Sequence, residues 1–179
     1  MTCINLQKQA NNPTSSPAKI RRFTRDAKWP AAVAALVLAS TVQAQGTGAQ
    51  DAPQHLPSIQ LGAGMFNIQA ELALTAQQRE IGLMHRTSLG PYQGMLFVFD
   101  TPAKQCFWMK NTLIPLSVAF VANDGTIVNV DEMKPQTLDP HCSAQPVRFV
   151  LEMSEGWFAK RGMKAGSKLT GKPFGTGQP

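Results

Sequence analysis

The sequence predicts a mainly β domain, either a β-sandwich or a partial barrel, with one short helix. Apolar and polar residues alternate strictly over residues 66–74, which is typical of a half-buried strand. Asp124-Gly125 lies between two apolar segments and predicts a tight hairpin turn. Several further short apolar segments are separated by turn residues, and this spacing favours a β fold over a helical one.

Residues 1–44 of the 179-residue chain have the organisation of a secretory signal peptide. A basic region precedes an apolar run over residues 29–42, and small residues flank Gln43 before a predicted cut after Ala44. The run is shorter than the ~20 apolar residues of a membrane-spanning helix, so a signal peptide is favoured over a membrane anchor. We therefore expect a periplasmic or secreted protein whose mature chain has no membrane span.

The basic character of the chain belongs to this leader. The whole sequence has a formal net charge of +6, but residues 1–44 contain six of the 17 Lys and Arg residues and one of the 11 acidic residues. The rest of the chain therefore has a net charge of only +1. This near-neutral body gives no electrostatic reason to expect nucleic acid binding.

The order of elements follows from the pattern of periodic and turn residues. A Gly-, Gln- and Pro-containing segment at residues 45–64 predicts a flexible linker. Thr75 and Gln78 match a capping box, which predicts a helix over residues 76–84. The segments expected after it are a polar loop at 85–93, strands at 94–99, 106–112, 115–122 and 126–130, a long loop at 133–145, a strand at 146–153, a helical turn at 155–162 and a strand at 168–170. We place the folded domain at residues 65–171 and a loose tail at residues 172–179.

Residues 106–115, with the sequence C-F-W-M-K-N-T-L-I-P, form the densest chemical signal in the chain. As a strand, the segment would place Cys106, Trp108 and Lys110 on one face, and its other face would carry Phe107, Met109 and Asn111. The apolar residues of the second set are expected to fill the core. Trp108 would either cover the edge of the core or offer its ring to a ligand such as a sugar.

The polar end of this segment is the predicted ligand-binding site, which consists of Arg86, Trp108, Lys110, Asn111 and Thr112. Arg86 comes from the loop after the predicted helix. If it meets Lys110 and Asn111, two cations and an amide would suit a carboxylate or another anionic group. The alternative is a strand-end cap in which Asn111 and Thr112 satisfy backbone groups.

Cys106 and Cys142 are the cysteines that remain after removal of the leader. In an exported domain, two cysteines favour a disulfide. Two free thiols remain an alternative, because the sequence cannot place the Cα atoms within reach of each other. A thiol nucleophile with His141 as its base is a third option, although neighbouring residues on an extended chain point apart.

Metal binding and catalysis find less support in the sequence. Met84, His85, Met109 and Met133 would suit Cu(I), but the methionines fall mostly at core-facing positions, so core packing is favoured. We expect no metal ion and no cofactor. The sequence has no G-x-S-x-G, P-loop or H-E-x-x-H motif, and we identify no catalytic residues.

Four segments together resemble the DUF192 family. They are Glu71-Leu72-Ala73 with Gly82-Leu83-Met84-His85-Arg86, then Gly94-Met95-Leu96-Phe97-Val98-Phe99, then Phe107-Trp108-Met109-Lys110-Asn111-Thr112 with Ile114-Pro115-Leu116, and finally Val150-Leu151-Glu152 with Gly156. The resemblance covers roughly residues 66–170. It implies a mainly β fold close to a jelly-roll sandwich, and it implies no settled activity.

We therefore expect an exported, non-catalytic binding or accessory module for a small polar or anionic ligand, or for a partner peptide, in the cell envelope. One alternative is an envelope enzyme acting on carbohydrate or peptide, which two carboxylates facing each other across a cleft beside Trp108 would favour. Another is a structural or chaperone-like protein without a pocket, which a large exposed apolar patch would favour.

Overall fold

The computed structural model describes residues 52–174, and the predicted signal peptide lies outside them. Within that range the chain forms nine strands and two short helices. The strands are β1 (Ser58–Ala63), β2 (Phe66–Ala73), β3 (Gln93–Ala103), β4 (Cys106–Phe107), β5 (Leu116–Val121), β6 (Ile127–Met133), β7 (His141–Cys142), β8 (Val147–Ser154) and β9 (Leu169–Thr170). The helices are α1 (Ala76–Ile81) and α2 (Trp157–Lys160).

Seven strands form one curled sheet in the order β6-β5-β8-β3-β2-β1-β9, and β4 pairs with β7 in a separate ribbon. This arrangement confirms the predicted class, a mainly β partial barrel. β2 and β3 are parallel, whereas their outer neighbours pair antiparallel. Parallel neighbours require a crossover connection, and α1 with the loop that follows it supplies that crossover.

Both faces of the sheet are covered, and the alternation along each strand assigns its residues to one face or the other. Face 1 packs against α2, β9 and the end of the described chain, through residues such as Ile68, Leu96, Phe149 and Phe158. Face 2 packs against the crossover and residues 107–114, through residues such as Leu83, Met95, Phe97 and Met109. The two segments that the sequence marks for function therefore lie on the same face.

Helix α1 begins at the predicted capping box. The Gln78 N–H donates to Thr75 Oγ1 (3.2 Å), and the Thr75 N–H donates to Gln78 Oε1 (2.9 Å). The helix ends at residue 81 rather than at the predicted residue 84, because Gly82 turns the chain with a φ of 50°. A Cβ atom at Gly82 would lie 3.2 Å from Phe97 Cζ, so the glycine also permits a close approach of the crossover to face 2.

The prediction of a flexible linker over residues 45–64 is wrong for its last part. Residues 58–63 form β1, which pairs with β2 along its whole length. Ile59, Leu61 and Ala63 do alternate with more polar residues, but neighbouring glycines make this pattern too short to stand out in the sequence. Residues 45–51 lie outside the described residues.

The predicted loose tail also has an anchored beginning. Phe174 is buried, and its ring centroid lies 5.1 Å from that of Phe149 in an edge-to-face arrangement. The last five residues of the tail, 175–179, lie outside the described part of the chain.

The segment 106–112 does not continue as the predicted single strand. β4 ends at Phe107, because its partner strand β7 is only two residues long. The chain then turns at Lys110-Asn111. Met109 is fully buried as predicted. Asn111, which was expected on the same face as Met109, is exposed because the turn gives it a left-handed backbone with a φ of 57°.

A disulfide joins Cys106 and Cys142, which are directly opposite each other in the ribbon of β4 and β7. The predicted disulfide is thereby confirmed, and the alternatives of free thiols and of a thiol nucleophile are wrong. The bond links residues 36 positions apart, for which the chain-entropy model gives about 3–4 kcal/mol of stabilisation. It anchors the strand that leads directly into Trp108.

Candidate binding site

Three loops on the face 2 side of the molecule are tied together by backbone hydrogen bonds. We call residues 84–86, 108–112 and 135–138 the loop cluster. The bonds that join the loops run from His85 N–H to Asn111 O (2.9 Å), from Gln136 N–H to Thr112 O (3.1 Å) and from Met109 N–H to Thr137 O (2.9 Å). The cluster therefore joins segments that are far apart in sequence into one surface.

Each loop of the cluster holds one non-glycine residue in a left-handed conformation. His85, Asn111 and Gln136 have φ values of 62°, 57° and 59°, and within residues 52–174 they are the non-glycine residues with positive φ. Such conformations cost roughly 1–3 kcal/mol each and persist where the surrounding contacts enforce them. Because backbone strain of this kind concentrates at binding and catalytic sites, the loop cluster is the candidate site.

The Arg86 side chain points into the protein rather than towards the exposed turn. Its Nη2 lies 2.7 Å from Glu71 Oε2, and it also donates to the carbonyl oxygen of Gln54. Glu71 Oε2 accepts a further hydrogen bond from the Leu56 N–H (2.8 Å). Arg86 is buried, so its ion pair with Glu71 fastens the first loop of the cluster to β2.

Trp108 and Lys110 form the exposed part of the predicted site. Trp108 is 45% exposed, and the Lys110 ammonium lies 5.8 Å from the centroid of its indole ring. The structure thus presents an aromatic face and a cation side by side to solvent.

Asn111 and Thr112 have different environments. The Asn111 side chain is exposed beside Lys110, and its backbone carbonyl accepts the bond from His85. Thr112 is buried, and its hydroxyl donates a long hydrogen bond to Lys110 O (3.4 Å). Thr112 therefore shapes the turn, which corresponds to the capping role considered from the sequence, whereas Asn111 is free to contact a ligand.

Exposed apolar side chains surround the same turn. Leu113 follows the second loop and Leu138 ends the third, and together with Trp108 they are among the large apolar residues most exposed to solvent. Because the two loops are hydrogen-bonded to each other, these side chains belong to one region of the surface.

A row of residues crosses the sheet on face 2 and contains three acidic side chains, and we call it the carboxylate row. Glu71 pairs with Met95, Met95 with Glu152, Glu152 with Val118, and Val118 with Asp131. Directly paired residues point to the same side of a sheet, so all three acids share face 2. One apolar residue separates each acid from the next.

The two outer acids of the row have basic partners, and the central acid has none. Glu71 is paired with Arg86, and Asp131 Oδ2 lies 2.6 Å from His141 Nδ1. Glu152 is only 4% exposed, and burial alone, with no hydrogen bond from a described residue, acts on its carboxyl group. Burial raises the pKa of Glu152 from its ordinary value of 4.5 to about 8, so the side chain is a neutral acid at pH 7.

The crossover above this row contains unpartnered polar atoms as well. Within residues 52–174, the buried nitrogens His85 Nε2 and Arg86 Nε have no hydrogen-bond partner. We did not predict a role for Glu152 or His85 in ligand binding. An acidic residue inside the apolar run 149–153 is the signal that could have identified Glu152, but its alignment with Glu71 depends on pairing across three strands.

Elsewhere in the described chain, Arg161 Nε is also buried without a hydrogen-bond partner, whereas Ser117 has structural partners. Ser117 is fully buried on face 1, donates to Glu132 Oε2 (2.6 Å) and accepts from the Gly156 N–H (2.7 Å). A groove beside α2 is lined by Asn129, Glu132 and Lys164 among others, and none of the predicted site residues lines it. Within the described residues, no group of three His, Cys, Asp or Glu side chains could hold a metal ion.

Comparisons with known proteins agree with this architecture. The family model DUF192, described as an uncharacterized ACR, matches residues 59–171, and the chain belongs to that family. The search of curated proteins gave no match.

Two solved structures are similar to the chain over nearly their whole length. One is described as a candidate transcription regulator from Sinorhizobium meliloti 1021, with 33% identity, a TM-score of 0.61, and coverage of 66% of this chain and 98% of the other. The second is a protein of unknown function from Novosphingobium aromaticivorans DSM 12444, with 33% identity, a TM-score of 0.62, and coverage of 70% and 99%. Among the residues that the structure describes here, no helix is long and apolar enough to cross a membrane.

Proposed function

We propose that the protein is an exported, non-catalytic binding module of the cell envelope, and that its loop cluster holds a small polar or anionic ligand or a side chain of a partner peptide. The observation that carries the proposal is the concentration of left-handed His85, Asn111 and Gln136 in three interconnected loops, beside the exposed Trp108 and Lys110. The export part rests on the signal peptide predicted from the sequence.

The chemistry of the exposed groups suits such a ligand. The Trp108 ring offers an apolar face, and the Lys110 ammonium and the Asn111 amide offer donors to an anionic or polar group. Arg86 supports this surface from below, because its pairing with Glu71 holds the loop that contacts Asn111. The ligand would therefore meet an already assembled surface, which lowers the entropic cost of binding.

The rival functions are less well supported by the geometry. An enzyme would need an accessible nucleophile beside its acid–base groups. The partly exposed pair of His141 and Asp131 adjoins Cys142, whose sulfur is held in the disulfide. The Ser117 hydroxyl is buried between Glu132 and the backbone of Gly156. A protein-binding role has a specific observation in its favour, which is the exposure of Leu113 and Leu138 beside Trp108. Peptide side chains are for this reason included among the proposed ligands.

The proposal is tested by native mass spectrometry of the protein purified from cells that express it naturally. We expect a bound molecule on the wild-type protein, and we expect the Trp108→Ala, Lys110→Ala double variant to lose it because the ring and the ammonium are both removed. A matched control is the Met65→Ala, Lys172→Ala variant, which also removes an exposed apolar side chain and a lysine, away from the loop cluster.

The two variants distinguish the possible results. Loss of the bound molecule from both variants, or its retention by the Trp108–Lys110 variant, would contradict the proposed site. A co-purifying protein in place of a small molecule, lost from the same variant, would identify the ligand as a partner peptide.

A further inference from the structure

Glu152 is the feature of the molecule that the proposed surface site leaves unexplained. It lies on β8, between the fully buried Met95 of β3 and Val118 of β5, so apolar side chains flank its carboxyl group on both sides within the sheet. A buried polar group without a hydrogen-bond partner costs about 1–3 kcal/mol. An unpartnered acid at the centre of a sheet therefore requires an explanation.

The crossover, which packs on the same face of the sheet as this acid, contains unpartnered groups of complementary chemistry. Arg86 reaches Glu71, which is two strands from Glu152 in the carboxylate row, or roughly 10 Å at the usual strand spacing. Arg86 Nε carries a permanent N–H, and His85 Nε2 is also buried without a partner. Donors on the crossover and an acid on the sheet are thus left unmatched across the same face of the molecule.

We infer that Glu152, with Arg86 Nε and His85 Nε2, forms a buried subsite for the carboxylate group of a ligand that enters through the loop cluster. This inference rests on the proposed binding function and names the ligand class. A carboxylate offers two acceptor oxygens, which match the Arg86 Nε–H and the O–H of a protonated Glu152. His85 Nε2 completes the set as a third donor in the tautomer that places the ring N–H there.

The protonation of Glu152 supports this assignment. Burial holds its pKa at about 8, so at neutral pH it can donate a hydrogen bond to a carboxylate instead of repelling it. Above pH 8 the ionised Glu152 would repel the same ligand. The other charged or titratable groups on this side of the sheet and its covering loops include Glu71, Arg79, His85, Arg86, Lys110, Asp131, Lys134, Asp139, His141 and Arg148.

The test uses acetate as the probe and the methyl group of Met95, which neighbours Glu152 in the row, as the reporter. In protein labelled with ¹³C-methyl methionine, we expect acetate to shift the Met95 signal at pH 7 and to leave Met163, on the face 1 side, unchanged. At pH 9 about a tenth of Glu152 stays protonated, so the apparent affinity should fall about tenfold.

Two variants separate the titration of Glu152 from that of the other groups. Glu152→Gln keeps the size and a donor, so it should bind acetate without the change between pH 7 and pH 9. Glu155→Gln, an exposed acid three positions away, should behave as the wild type. An unmoved Met163 signal in both variants establishes that they are folded.

Several results would overturn the inference. They are an unmoved Met95 signal in the wild type, an affinity that does not change with pH, a pH dependence that persists in Glu152→Gln, and preferential binding of methylammonium over acetate. If any one of these results is found while the Trp108–Lys110 variant loses the co-purified ligand, the proposed binding function is retained and the Glu152 subsite is rejected. If the Met95 signal responds to acetate as expected but the Trp108–Lys110 variant keeps its ligand, the subsite is retained and the proposed surface site is rejected.

Discussion

Each face of the sheet has a tryptophan with a cationic side chain over its ring, and the two pairs differ in burial and in contacts. Trp157, on face 1, is 3% exposed, its Nε1–H donates to Pro91 O (2.8 Å), and the Arg161 guanidinium lies 4.4 Å from its ring centroid. Trp108, at the loop cluster, is 45% exposed, and Lys110 lies 5.8 Å from its ring. A tryptophan with a cation over its ring is therefore buried on one face of the sheet and exposed on the other.

The difference separates a structural pair from a pair available for binding. Arg161 also lies over the rings of Phe66 (5.2 Å) and Tyr92 (5.1 Å), so three aromatic rings surround its guanidinium. Cation–π contacts contribute about 2 kcal/mol when desolvated and about 0.5–1 kcal/mol at exposed sites. The pair on face 1 contributes to the stability of the fold, whereas Trp108 and Lys110 keep part of their surface exposed to solvent.

The largest expected effect concerns the polar groups of face 2. Because the pKa of Glu152 is raised from 4.5 to about 8, the folded protein binds one proton more than the unfolded chain between these values. This contribution to the free energy of unfolding is full below about pH 4.5, decreases as the pH rises, and is lost by about pH 8. At about 1.4 kcal/mol per pH unit, the loss amounts to roughly 5 kcal/mol.

Urea denaturation across this pH range measures the effect. Glu152→Gln should lack this decrease and should be more stable than the wild type at pH 9, while Glu155→Gln should keep the wild-type slope. Parallel stability curves for the wild type and Glu152→Gln would contradict the account of a buried, unpartnered acid on face 2.

The next effect compares the two tryptophans directly. We expect Trp157→Ala to lower the free energy of unfolding by about 3–5 kcal/mol, because it removes a buried aromatic side chain and the enclosure of Arg161. Trp108→Ala should cost less than about 1 kcal/mol, because its ring is half exposed. Urea denaturation of both variants at one pH checks this, and equal losses of stability would remove the distinction between the two pairs.

Local sequence patterns predict the parts of this fold that depend on neighbouring residues. The alternation over residues 66–74 predicts β2, the capping box at Thr75 predicts the start of α1, and Asp124-Gly125 predicts the hairpin of β5 and β6. Each of these patterns is contained within a few neighbouring residues, so it predicts the local element without knowledge of distant contacts. The disulfide followed from the number of cysteines and the expected export.

The candidate site could be predicted only in part, because its arrangement depends on distant segments. Trp108 and Lys110 are exposed together as the sequence suggested, but Arg86 turns inward to an acid on β2 that the sequence does not pair with it. The central position of Glu152 in the carboxylate row is set by the register of several strands, which no local pattern contains.

The central claim is that face 2 binds a ligand whereas face 1 stabilises the fold, and the two tryptophans report on it independently. A chain beginning at Gln45 contains Trp108 and Trp157 as its tryptophans, so its ¹⁵N spectrum has one indole signal for each face. When the compound released from the native protein is added back, we expect the Trp108 signal to shift and the Trp157 signal to stay in place. A shift confined to Trp157, or no shift of either signal, would contradict the claim.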